Sequence, residues 1–243
     1  MSHLEKAENG SEGVPSLVNA QQPLRVPSRR LGNPGPLCVL STITTLIGTN
    51  VYLRSGLFSF ASTTLILSLY NTGVRGIDTP NVVVGMALFV GGLVQLLAGM
   101  WEFACGNTFG ATAFSSYGGF WMSFATIYIP GSNITAAYAN GPSAELDSAL
   151  GIYLITWFAI TFLLLIASLR RNMGLIALFF FLTITFMLLA ISKFMDNAAV
   201  NKAGGGFGVV TALIAYYVGL AELLVRDESW LVLPLGVIAK RID

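Results

Sequence analysis

The chain has 243 residues, of which 54% are hydrophobic and only 10% charged, against about a quarter charged in a soluble domain; with a mean hydropathy of +0.72, this excludes an ordinary soluble globule. Thirteen Lys+Arg against 12 Asp+Glu leave a net charge of +1, which provides no basic field for nucleic acid. The single histidine, His3, and two distant cysteines, Cys38 and Cys105, exclude a His/Cys metal site and give a disulfide framework no support.

Residues 1–32 are rich in Pro, Ser, Asn and Gln with mixed charges, which reads as a disordered tail. They lack a signal-peptide apolar region, so an uncleaved N-terminus is expected. A helix needs about 20 mostly apolar residues to cross roughly 30 Å of hydrocarbon. Runs of that kind fall at 57–74, 81–104, 110–130, 148–169, 173–192 and 203–225. An extra uncharged run, 36–53, precedes them, and 227–243 form a short mixed-charge tail. The expected fold is therefore all-α and polytopic, with a six-helix membrane domain over 33–226.

Short-loop Lys and Arg set orientation. Arg25, Arg29 and Arg30 precede the first span, Arg170 and Arg171 join the fourth and fifth, and Arg226 follows the sixth. These places share one side, taken as cytosolic together with both termini, while Arg75, Lys193 and Lys202 lie on the other. Asn133-Ile134-Thr135 is a glycosylation sequon in a loop assigned to the outside. Gly85, Gly92 and Gly99 recur every seven residues along span two, and such small residues let helices approach closely, within the protomer or between protomers. Gly204-Gly205-Gly206 reads as a flexible lead into span six.

Polar groups at membrane depth are few. Glu102 and Glu222 fall at the C-terminal ends of spans two and six, where the helix dipole disfavours negative charge. They serve either as ion-pair partners of Arg170, Arg171 and Arg226 or as proton carriers. Gln95 and Asn71 either bond a neighbouring helix or line a wet path. Lys193 and Asp196, three apart, read as a local ion pair. No nucleophile–base set, phosphate loop or acidic metal cluster appears, so transport outranks catalysis and no cofactor or metal is expected.

The stretch Gly106-Asn107-Thr108-Phe109-Gly110, followed by Thr112-Ala113-Phe114-Ser115-Ser116-Tyr117-Gly118-Gly119-Phe120-Trp121, resembles the signature of the acetate uptake transporter family, the yeast and bacterial acetate and succinate permeases (GPR1/FUN34/YaaH). Asn33-Pro34-Gly35-Pro36-Leu37 is similar to the opening of that family's N-P-A-P-L-G-L motif. Gly91-Gly92, Gln95, Ala98-Gly99, Glu102 and Asn197-Ala198-Ala199 also match. The family runs from its opening motif directly into the first span. Here residues 38–55 intervene, and deleting them rejoins the motif as N-P-G-P-L-G-L-F-S-F. We read 38–55 as an insertion, of the kind a retained intron of eighteen codons produces.

The resemblance implies a ring-shaped hexamer of six-helix protomers in the plasma membrane, each with a narrow path for acetate and other short monocarboxylates, proton-linked or channel-like. It implies that Phe60, Tyr117 and Leu182 form an apolar constriction, with Asn33, Pro34, Thr63, Asn71 and Gln95 as polar steps along the path. The Tyr117 hydroxyl is expected to donate to a passing carboxylate. An acetate-responsive sensor or an ammonium exporter is the alternative within the same resemblance.

Overall fold

The computed structural model describes residues 49–77, 79–142, 144–224 and 229–238, with side chains from Arg54 onward. Asn33, Pro34, Arg226, residues 1–32 and most of the 38–55 segment lie outside the described residues. Six long helices follow in order: α1, Thr49–Asn71; α2, Val83–Ala104; α3, Thr108–Tyr128; α4, Glu145–Ser168; α5, Met173–Met195; and α6, Ala198–Leu223. Four of them, α2, α4, α5 and α6, are long and apolar enough to cross a membrane by length and composition. The first helix begins eight residues before the expected start at 57, and runs unbroken through Ser55-Gly56.

Local chemistry fixes the helix starts. Asn107, Asn172 and Asn197 each cap a helix through a side-chain oxygen that accepts from backbone N–H groups: Gly110 at 3.2 Å, Leu175 at 2.8 Å, and Ala199 and Val200 at 2.9 and 3.2 Å. A side-chain acceptor there satisfies donors that have no partner within the helix. Between α2 and α3, Gly106 sits at φ +77°. Gly106 N–H donates to the Phe103 carbonyl and Asn107 N–H to that of Glu102. This is the left-handed helix ending that glycine favours, and it turns the chain within three residues.

Consecutive helices pack closely except α3 and α4, which meet through side chains, and α6 returns onto α1, closing a ring. The seam between α1 and α6 is held by glycines. A Cβ at Gly205 would lie 2.8 Å from the Ser68 carbonyl oxygen and 2.9 Å from Thr72 N. Gly204–Gly206 are therefore helical, where the sequence suggested a flexible lead; Gly204 and Gly205 are packed, and close backbone approach is the reason for the glycine at 205. By contrast α3 and α4 are joined by large side chains, with Phe120–Trp157 ring centroids 4.9 Å apart.

The second helix departs from regular geometry. Met86–Val94 form π-helical turns, whose i→i+5 bonding marks a local insertion of backbone. The seven-residue glycine repeat presumed regular α periodicity. In the structure Gly92 and Gly99 face Met122 and Ser115 of α3, while Gly85 is exposed with nothing near its Cβ position. The widened turns between them rotate Gly85 off that face.

Candidate functional site

Two cavities open inside the ring. The first, about 510 Å³, is lined by the C-terminal halves of α1, α3 and α5 and the N-terminal ends of α4 and α6. The second, about 710 Å³, is lined by the opposite ends of these helices together with Gln95 of α2. Phe60 is common to the two linings. Its ring lies 5.4 Å from that of Tyr117, which lines the second cavity, whereas Leu182 lines the first. All three are buried. The structure thus brings Phe60 and Tyr117 into contact and sets Leu182 on the far side of Phe60 from the second cavity's wall.

The Tyr117 hydroxyl is not open to a passing ligand. It lies 2.8 Å from Thr161 Oγ1, and Thr161 donates its one proton to the Trp157 carbonyl at 2.7 Å. A threonine hydroxyl has a single donor, so Tyr117 must donate to Thr161. The proton expected to meet a carboxylate is already committed to α4. Trp157 and Phe179 stand 6.0 and 6.4 Å from the tyrosine ring, so the ring is held within an aromatic wall.

The polar residues divide. Gln95 is fully buried on the wall of the second cavity, and both its amide atoms lack a protein partner. Gly91 makes room beside it: a Cβ there would meet Thr63 Oγ1 and Trp121 at 2.8 Å. Asn71 lines the first cavity, and its carbonyl accepts from Asn201 Nδ2 at 3.2 Å. Thr63 lines neither cavity; its hydroxyl donates to the Ser59 carbonyl at 3.0 Å. The next residue, Thr64, is the one on the wall of the first cavity. Asn133 is exposed beyond α3, at φ +56°.

The charged groups differ most from the expectation. Glu102 accepts from Asn107 Nδ2 at 2.6 Å, and its other oxygen is buried without a partner. It lies within electrostatic reach of Glu222, which in turn faces Arg54. Neither carboxylate forms an ion pair with Arg170 or Arg171. Arg171 instead stands 4.2 Å over the Phe109 ring, an attraction between a cation and the ring face. Lys193 pairs with Asp147 of α4 at 2.8 Å and not with Asp196, because Asp196 has left the helix at φ +47°.

One wall was not foreseen. Residues 229–238 return to the start of α5, where Asn172 and Val237 form an antiparallel bridge and Tyr217 donates to the Pro234 carbonyl at 2.8 Å. Val237 and Ile238 thereby line the second cavity. The apolar Leu231-Val232-Leu233-Pro234-Leu235 run inside the expected charged tail is the signal that could have found it.

Comparison with known proteins gives one consistent grouping. Residues 53–240 match the GPR1/FUN34/yaaH family, beginning within the segment read as an insertion. Ammonia transport outward protein 2 of Saccharomyces cerevisiae is 44% identical over 205 residues, 84% of this chain; the chain spans only 66% of that relative's length. Acetate permease A of Emericella nidulans is 40% identical over 236 residues, covering 93% of this chain and 72% of the relative. The solved structure of the bacterial acetate channel SatP matches with a TM-score of 0.66 at 34% identity, covering 76% of this chain and 98% of the channel.

Proposed function

This chain belongs to the GPR1/FUN34/yaaH family, and on that premise we propose that it transports acetate and other short-chain monocarboxylates across the plasma membrane, proton-linked or channel-like. The observation that carries the reading is the position of Phe60 between two cavities that open toward opposite ends of the helix ring. A path interrupted by one thin apolar partition can pass small molecules while excluding hydrated ions. Acetic acid titrates near a Glu side chain, so a usable fraction is neutral at mildly acidic pH. The names of the E. nidulans permease and the bacterial channel support acetate as the solute.

In this reading Phe60, Tyr117 and Leu182 form the constriction. Gln95 and Asn71 serve as polar steps on either side, with Asn33 and Pro34 at a mouth, and Glu102 and Glu222 exchange protons. All six helices span the bilayer. The 23 residues of α1 and 21 of α3 reach about 30 Å at 1.5 Å per residue. The membrane domain is 33–226, with 1–32 and 227–243 as cytosolic tails and Asn133 outside. The apolar outer face of α2, including Phe89, Leu93 and Leu97, meets lipid or a neighbouring copy in a hexameric ring.

The test is labelled-acetate uptake at mildly acidic pH in transport-deficient yeast expressing this chain beside a form lacking 38–55. Uptake from either form supports the permease, and uptake from the shortened form alone also supports the insertion. Absence of uptake with both forms at the cell surface overturns it. The name of the yeast relative favours ammonia as a second solute; ammonium release without acetate flux, measured in the same cells, would select that reading.

A further inference from the structure

The segment after α6 is tied back to the start of α5 by its main chain. Met173 N–H donates to the Gly236 carbonyl at 3.0 Å, Gly174 N–H to that of Leu235 at 3.4 Å, and Ile238 N–H to that of Arg171 at 3.2 Å. With the Tyr217 hydroxyl on the Pro234 carbonyl at 2.8 Å, residues 234–238 bridge α6 and α5 along one edge of the second cavity. Val237 and Ile238 stand there with Arg170, Arg171, Val218 and Glu222. Met173 and Gly174 open α5, so the returning carbonyls serve helix donors that have no partner within the helix. The attachment is nevertheless peripheral. Leu233, Leu235 and Ile238 are half-buried, while Trp230, Leu231, Val232 and Val237 are exposed. Gly236 bends the chain at φ +62°, and a Cβ there would meet Met173 at 2.9 Å. Detaching 234–238 takes no buried side chain with it, and water satisfies the two helix donors it leaves.

We propose that residues 229–238 are an autoinhibitory strap that gates the second cavity. Seated on α5, as in this structure, the strap supplies part of the cavity wall and narrows access from that end; released, it leaves the α5–α6 edge open. The consequence for flux rests on the transport reading, whereas the opening of the cavity does not. The seated form is stabilised by the α5 terminus, whose exposed N–H groups carry partial positive charge and favour the carbonyl oxygens of Leu235 and Gly236. Leu235 adds a side-chain seat, with its Cδ2 atom 3.4 Å from the Cβ position of Gly174. A few bonds at one edge, set against an otherwise exposed segment, describe an element drawn from the low-stability end of the structure, as gating elements are.

The strap can be locked and sprung. Asn172 and Val237 form the non-hydrogen-bonded kind of antiparallel pair, whose Cα atoms lie about 4.5 Å apart, within the span of a disulfide. Asn172→Cys/Val237→Cys is made in a full chain carrying Cys38→Ser and Cys105→Ser, purified and reconstituted in liposomes. Oxidation, with the bridge confirmed by mass, should cut labelled-acetate uptake about tenfold by removing the open population, and reductant should restore it. Gly236→Val puts a β-branched residue at a left-handed φ and against Met173, which should release the strap and raise uptake. Opening is also read without flux. Ala113→Cys, on the wall of the second cavity, should react with a bulky maleimide severalfold faster when combined with Gly236→Val. Uptake equal in the bridged and reduced forms, or labelling no faster with Gly236→Val, overturns the gate. The redox pair decides within a single protein where Gly236→Val fails to fold, and the labelling decides where the bridge fails to form. Faster labelling in a chain with no acetate flux from any form would retain the gate and reject the transport reading. Acetate flux indifferent to the bridge would do the reverse.

Discussion

Tyr117 Oη and Thr161 Oγ1 lie 2.8 Å apart across the α3–α4 seam, and the direction of that bond decides what the Tyr117 hydroxyl can offer the second cavity. Thr161 gives its proton to the Trp157 carbonyl, so Tyr117 is the donor. Tyr117→Phe leaves Thr161 satisfied and should change thermal stability little. Thr161→Val strands a buried phenol, which costs about 1–3 kcal/mol, unless the hydroxyl turns into the second cavity. We expect Thr161→Val to lower the melting temperature in detergent and Tyr117→Phe to leave it near wild type. The opposite ranking would mean that the bond runs from Thr161 to Tyr117.

Removing the Tyr117 ring altogether widens the partition next to Phe60. Tyr117→Ala is expected to admit larger acids, read as stronger competition by propionate, lactate and succinate against labelled acetate. Loss of a buried aromatic costs about 3–5 kcal/mol, so surface expression is measured in parallel. An unchanged competition profile in a surface-expressed variant would remove Tyr117 from the selectivity ring.

Much of this arrangement was legible in the sequence. The apolar runs located all six helices within a few residues at most ends, because each long apolar run between polar turns is continued as one helix. Phe60, Tyr117 and Leu182 came from the family resemblance, and buried aromatics alone could not be told from core. What stayed hidden depends on angle about a helix axis. Thr63 and Thr64 are neighbours in sequence, yet one bonds its own backbone and the other lines the first cavity. The π-helical turns of α2 shift that angle further, which misled the glycine repeat. Lys193 has Asp196 three residues away and still pairs with Asp147, since the chain leaves the helix at Asp196.

The α1–α6 seam makes a sharp prediction. Gly205→Ala places a methyl 2.8–2.9 Å from backbone atoms of Ser68 and Thr72, which cannot turn aside as side chains do. We expect a loss of about 1–3 kcal/mol. Gly206→Ala meets nothing within 4 Å and should stay within about 0.5 kcal/mol of wild type. Thermal unfolding of the two variants, side by side, separates close helix approach from a mere dislike of glycine replacement.

Cys105 lies just past α2, and burial, with a smaller contribution from the Glu102 charge, pushes its thiol above the usual range. The thiolate is the reactive form, so maleimide labelling in a Cys38→Ser background should be slow at neutral pH and rise only at alkaline pH. Because the shift is upward, more alkaline conditions are needed to reach a given thiolate fraction. Glu102→Gln removes the lesser cause and should move the labelling profile to lower pH. A profile already saturated at neutral pH would contradict the burial of this thiol.

The Lys193–Asp147 pair sits on the wall of the first cavity with both side chains more than a third exposed, at 36% and 37%. Solvent screening limits such a pair to about 0–1 kcal/mol, so neither Lys193→Gln nor Asp147→Asn should unfold the protein. Their effect falls on the solute. Asp147→Asn leaves an uncompensated ammonium at the cavity mouth and should lower the half-saturating acetate concentration by drawing in the anion; Lys193→Gln leaves a carboxylate there and should raise it. Both shifts should shrink as ionic strength rises and the Debye length falls below about 8 Å. Uptake measured at two salt concentrations distinguishes this steering from a structural lesion, which salt would not relieve. Shifts of the same sign in both variants would mean that the pair acts by holding α4 to α5 and not through its charge.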